Sequence, residues 1–168
     1  MISNVEEARR SLLDLLETTR AETRALLSAL DPERTVHDDE RAWRVRDILG
    51  HLAVWNMEAA RSLHAYTDGE EYTCVEGRSG YYDYNGPAAQ ERKDWTMDEV
   101  WAEYEASHDQ LRSVIAKLPA GKWDGEMVFP WSERGTAAQL IQRMMKHEKT
   151  DHCELVSRAV GSLDRRGV

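Results

Sequence analysis

The sequence predicts an all-α protein, a four-helix bundle of up-down-down-up connectivity, and three observations predict it. Four stretches of about 20 to 27 residues repeat apolar side chains at the helical period. No convincing run of strand-like alternation competes with them. The connection between the second and third stretches is far longer than the other two, as a crossover between two helices of like direction requires.

The first helix is expected from about Asn4 to Leu30, where Val5, Ala8, Leu12, Leu15, Leu16, Leu26, Leu27 and Leu30 share helical spacing and Ser3 with Glu6 forms a capping box. Asp31-Pro32 stops it. The second runs from about Arg46 to Tyr66, with Ile48, Leu52, Trp55, Ala59 and Leu63 in one stripe and His51 on its border. Between Thr67 and Trp95 the chain is rich in glycine and tyrosine, and is read as the crossover with a short helical turn at Pro87 to Arg92. The third helix, capped by Thr96 and Glu99 and ended by Pro119, presents Val100, Tyr104, His108, Leu111, Val114, Ile115 and Leu118 on one face. His108 there reads first as a satisfied core histidine. A Gly- and Pro-punctuated link follows, with an extended piece at Glu126 to Phe129. Thr136 and Gln139 then cap the fourth helix, which reaches Val160.

The length of 168 residues fits one domain spanning 1–168. A net charge of −9, with acids spread along the chain, argues against nucleic acid or an anionic membrane as partner. The amino-terminal stretch lacks the apolar core of a signal peptide, and the longest apolar patch, ILGHLAVW, is too short to span a bilayer. A cytoplasmic protein is expected, in which Cys74 and Cys153 are free thiols.

The fourth helix carries the chemistry. At about 100° per residue, Glu148 and His152 fall within roughly 20° of the centre of its apolar stripe, whereas Asp151 lies roughly 80° away and His147 roughly 120° away. A buried carboxylate needs a partner, and a Glu and a His at i, i+4 can share a metal ion. His51, inside the apolar second helix, is the natural third donor. Two imidazoles and one carboxylate would leave an open position on a divalent ion such as zinc or nickel, the pattern of catalytic sites. His147 and Asp151 would then stand beside the ligands, to orient a bound molecule or carry a proton. The competing reading is an internal hydrogen-bonded arrangement, with Glu148 and His152 bonded to each other or to Arg and Tyr neighbours across the core. No GxSxG elbow, P-loop, GxGxxG pattern or CxxC pair occurs, so serine hydrolysis, nucleotides and iron–sulfur clusters are not indicated.

Trp43 to Trp55, WRVRDILGHLAVW, resembles the signature of the DinB-like bundles, the superfamily that includes YfiT-like metal-dependent hydrolases and thiol-dependent S-transferases. Asn85, the run Trp95 to Val100, and the run Pro130 to Thr136 leading into a histidine-bearing last helix are similar to stretches of the same superfamily, particularly its ClbS/DfsB-like branch. The resemblance implies a metal held by one histidine of the second helix, matched by His51, and by an HxxxH pair in the last. This chain departs from that pair, because His147 and His152 are five residues apart. Alignment on His152 puts Glu148 in the other position, an ExxxH variant that resembles the zinc site of mycothiol-dependent maleylpyruvate isomerases; alignment on His147 selects Asp151. The resemblance further implies a small-molecule substrate, a low-molecular-weight thiol or water as the activated group, and a homodimer. A metal-free protein that sequesters a small toxic molecule is the alternative it leaves open.

Overall fold

A computed structural model describes residues 2–36, 42–75, 82–154, 156–158 and 161. Among them the chain forms α1 (Ile2–Leu27), α2 (Val45–Asp68), α3 (Tyr82–Glu91), α4 (Met97–Lys117) and α5 (Ala137–Lys146), and α5 runs on into a π-helical turn over His147–Cys153. A 3₁₀ turn (Ala120–Lys122) and a small antiparallel hairpin, β1 (Met127–Val128) with β2 (Arg134–Gly135), connect α4 to α5.

Two apolar clusters establish the helix directions. In one, Leu12 and Leu16 of α1 meet Ala59 and Leu63 of α2, Leu111 and Ile115 of α4, and Leu140 to Met145 of α5. In the other, Leu27 meets Val45 to Leu52, Val100, Tyr104 and Val156. Early α2 therefore lies beside early α4, the two run parallel in the most extensive packing of the molecule, and α1 and the last helix run against them. This is the up-down-down-up bundle that the helix spacing predicts, with α3 inside the long crossover.

Polar side chains hold the helix starts. Thr96 and Glu99 exchange hydrogen bonds at the head of α4, and Thr136 and Gln139 do the same for α5. Each such cap is worth about 1 kcal/mol. Asp47 accepts the Arg44 backbone N–H at 2.9 Å and starts α2, while Val36 N–H donates to the Trp43 carbonyl at 2.8 Å and pins that tryptophan over the bundle's end. α2 ends at Gly69, whose φ of 83° is the left-handed conformation that glycine adopts without strain.

Three boundaries differ from the sequence expectations. Ser3 lies inside α1 and so is not its cap, and α1 ends at Leu27, three residues before Leu30. α3 begins at Tyr82, ahead of the expected turn, and takes in Pro87 at the loss of one backbone hydrogen bond. It is tied to α2 by Trp55 Nε1, which donates to Asn85 Oδ1 at 2.9 Å. The extended piece expected at 126–129 is β1; a Cβ on Gly135 opposite it would approach the Phe129 ring to 2.6 Å, so only glycine fits there. Both cysteines are free thiols, and no helix among the described residues is long and apolar enough to cross a membrane.

Candidate metal centre

Three histidines converge between α2 and the last helix. His147 Nε2 lies 3.1 Å from His51 Nε2 and 3.1 Å from His152 Nε2. The rings meet edge to face at interplanar angles of 62°, 63° and 89°, so none stacks on another. An imidazole nitrogen offers one N–H or one lone pair, and a single Nε2 therefore cannot make two good hydrogen bonds to two other imidazoles. A shared cation resolves that crowding. Two nitrogens bound at about 2.0–2.1 Å to one ion, at angles of roughly 90–110°, sit about 2.9–3.4 Å apart. The two 3.1 Å spacings fall inside that range, all three donors lie within 4.8 Å of one another, and three imidazoles are a donor set that fits a divalent metal.

The π-helical turn is what brings His147 into the group. In an α-helix, residues five apart are about 140° apart around the axis. Here the backbone closes i→i+5, as in the Glu154 N–H that bonds to the Lys149 carbonyl, so each turn holds one residue more. His147 and His152 thereby stand one above the other, as residues four apart do in a regular helix.

Glu148, which α-helical geometry places with His152, is turned elsewhere. Its side chain is 1% exposed, and Oε1 accepts Thr23 Oγ1 and Tyr104 OH, each at 2.6 Å. Oε2 faces His108 Nε2 at 3.3 Å; opposite a carboxylate that nitrogen is the donor. Burial alone would push the Glu148 carboxyl up, yet the hydrogen bonds from His108, Thr23 and Tyr104 hold it below the usual carboxylate value. Burial, reinforced by the Glu148 charge, pushes the Tyr104 phenol well up, so it stays a donor. Cys153 lies 3.5 Å from Thr23 Oγ1, and burial pushes its thiol up to about 11, which makes it a poor nucleophile.

The sequence pattern of the DinB superfamily matches residues 15–155. The chain belongs to the DinB superfamily. Among solved structures this DinB-superfamily chain is similar to a mycothiol-dependent maleylpyruvate isomerase, with a TM-score of 0.71 at 15% identity over 88% of this chain and 60% of that one. It is also similar to an uncharacterised protein from Escherichia coli UTI89, with a TM-score of 0.67 at 17% identity over 93% and 94% of the two chains. At these identities the likeness is one of fold, and the chain spans 60% of the isomerase's length. No curated protein sequence matches it.

The DinB-superfamily expectation of one histidine on the second helix and an HxxxH pair on the last can now be set against the side chains. His51 and His152 stand together as the sequence predicts. His147, predicted to stand beside the ligands, is also in the group, and Glu148, predicted to be a ligand, makes its bonds on the far side with Thr23, Tyr104 and His108. The physical reason is the extra residue in the turn, which makes a five-residue spacing the equivalent of HxxxH. Asp151 belongs to the same turn, but its side chain lies outside the described residues. Sequence reasoning missed Thr23 altogether. Its one signal was the polar residue interrupting an otherwise apolar helical repeat.

Tryptophans wall the group. Trp43 lies 4.9 Å from His51, ring centre to ring centre, and 6.4 Å from His152. Trp55, 6.4 Å from His51, leads on to Trp131 at 6.1 Å, which the hairpin carries in from the α4–α5 link. Such walls keep bulk water away from one side and leave a flat apolar surface for a bound molecule.

Proposed function

We propose that this DinB-superfamily protein is a metal-dependent enzyme that activates a low-molecular-weight thiol or water for attack on a small molecule. The observation that carries this reading is the gathering of three imidazoles, with His147 Nε2 3.1 Å from the Nε2 of both His51 and His152 and all three donor atoms within 4.8 Å of one another. His51, His147 and His152 would hold a divalent ion such as zinc or nickel. A divalent ion held by these residues would supply Lewis-acid chemistry, lowering the pKa of a bound thiol or water so that it could serve as nucleophile at neutral pH. The chain's own residues bind and exclude. The three histidines fix the donor geometry, while Trp43, Trp55 and Trp131 shield the centre and offer an apolar surface to the substrate. Support for a thiol comes from the isomerase of the same fold, which is mycothiol-dependent. A cytoplasmic location, expected from the amino-terminal sequence, and a homodimer, implied by the superfamily resemblance, complete the reading.

Elemental analysis of tag-free protein tests it. One divalent ion per chain is expected, and its loss is expected in each of His51→Ala, His147→Ala and His152→Ala. A cobalt-loaded sample titrated with small thiols should develop a near-ultraviolet sulfur-to-metal band if the thiol joins the centre. Protein that takes up no ion when zinc, nickel or cobalt is added sinks the enzyme and leaves a small-molecule binding protein. Light scattering on the same sample tests the dimer.

A further inference from the structure

A π-turn is rare and occurs mostly as a single turn inside an α-helix, so it persists where something else holds it. In the last helix two sets of inward side chains pull the turn in different directions. His147 and His152 face α2, and Glu148 faces α1 and α4. Were the segment α-helical, Glu148 and His152 at i, i+4 would share a face and His147 would swing about 140° from His152. The register of one turn therefore chooses between a carboxylate and an imidazole as neighbour to His51 and His152.

The choice falls on the side where Glu148 is clamped. Three donors reach its two oxygens, from Thr23 on α1 and from Tyr104 and His108 on α4, all from positions at most 1% exposed. Ring packing of His108 against Tyr104, 4.7 Å between centres, and a bond from Ser107 Oγ to the Tyr104 carbonyl fix the clamp in turn. We propose that the Thr23–Tyr104–His108 clamp on Glu148 selects the π-register of the last helix and thereby makes His147 the third member of the histidine group. Glu148, Thr23 and Tyr104 are on this view positioning residues, acting on the centre through the backbone. Only the consequence for metal rests on the functional reading; the register does not.

The test is made on tag-free full-length protein, comparing wild type with Thr23→Val/Tyr104→Phe and with Glu148→Gln. Crystal structures of the metal-free proteins report the register, and cobalt titration reports the donor set through the visible ligand-field bands. Wild type should show the i→i+5 turn and a three-nitrogen spectrum. The double variant should relax to an α-turn, shift its bands toward an oxygen-containing set, and bind cobalt about 10–100-fold more weakly, the usual effect of losing groups that orient ligands. Glu148→Gln keeps an acceptor oxygen for Thr23 and Tyr104 and should keep the π-turn. If the double variant does not fold, Tyr104→Phe alone carries the same expectation at smaller amplitude. An unchanged π-turn in a folded double or single variant overturns the clamp, as does an α-turn in metal-free wild type. A wild type that takes up no metal, with a π-turn that the double variant loses, removes the functional reading and leaves the clamp standing.

Discussion

α5 and the π-turn that follows it belong to one continuous helix, but they obey different geometries. Along Ala137–Lys146 the inward residues Ala137, Leu140, Ile141, Met144 and Met145 recur at three and four, and all are buried in the apolar cluster. From His147 to Cys153 the inward residues His147, Glu148 and His152 are polar, and His147 and Glu148 are held by partners from other helices. The first half is shaped by the hydrophobic effect, which is indifferent to small changes of phase. The second is shaped by directed contacts to one carboxylate and two imidazoles, which are not. Stability and metal affinity should therefore be separable along a single helix, and variants in the two halves can be read by melting once in chelator and once in zinc.

The largest difference is expected for His147→Ala. A zinc ion at about a thousandfold above its Kd stabilises the folded state by about 4 kcal/mol, and that increment should vanish in the variant. In chelator the half-buried His147 contributes little, and the two proteins should melt within a few degrees of one another. A zinc increment that survives the substitution would mean that the π-turn histidine is no ligand and that the two halves of the helix do not divide the work in this way.

What was legible in the sequence follows the same division. The four long helices and the caps at Thr96 and Thr136 rest on periodicity and local hydrogen bonding, which act within a few residues and survive into the structure with only their ends shifted, and the helix directions follow from the long crossover. His51 and His152 were legible because His152 is polar within an apolar stripe and His51 stands on the border of one. The partnership of His147 was not, since a constant 100° per residue is the premise of any angular reading and the π-turn breaks that premise at this point. The five-residue spacing of the two histidines was nonetheless a signal, one residue too many for HxxxH. Glu148 shows the limit of a second kind. A buried acid announces that it has partners but not which ones, and Thr23, 125 residues away in the chain, is found only once α1 is folded against the last helix. The helical spacing of α4 places Tyr104 and His108 on its core face, and both lie there at 0% exposure.

Leu140→Ala should be nearly as costly as the histidine variant but with the opposite signature. Leu140 is fully buried among Leu12, Leu16 and Leu111, and truncating such a leucine costs about 2–5 kcal/mol through lost burial and the cavity left behind. The loss should be the same in zinc and in chelator, because the side chain supports the bundle and not the centre. Retention of one bound ion per chain in elemental analysis checks the second half of the statement.

The smallest effect is expected at the start of α5. Thr136 Oγ1 accepts the Gln139 N–H at 3.3 Å, and Gln139 Oε1 accepts the Thr136 N–H at 2.9 Å, so Thr136→Ala removes one of two reciprocal bonds and should cost about 1 kcal/mol. At about 2–4 °C per kcal/mol for a chain of this size the shift is measurable. The cap sits about three turns before His147, and between them Leu140, Ile141 and Met144 lock the phase of the helix into the core. Fraying of the first turn is absorbed there and does not reach the π-turn. Thr136→Ala should therefore lower the melting point equally in zinc and chelator, with cobalt bands identical to wild type. A shift in those bands would show that the phase of the last helix is set from its beginning, and that the apolar half is not the rigid spacer between cap and centre that its packing makes it.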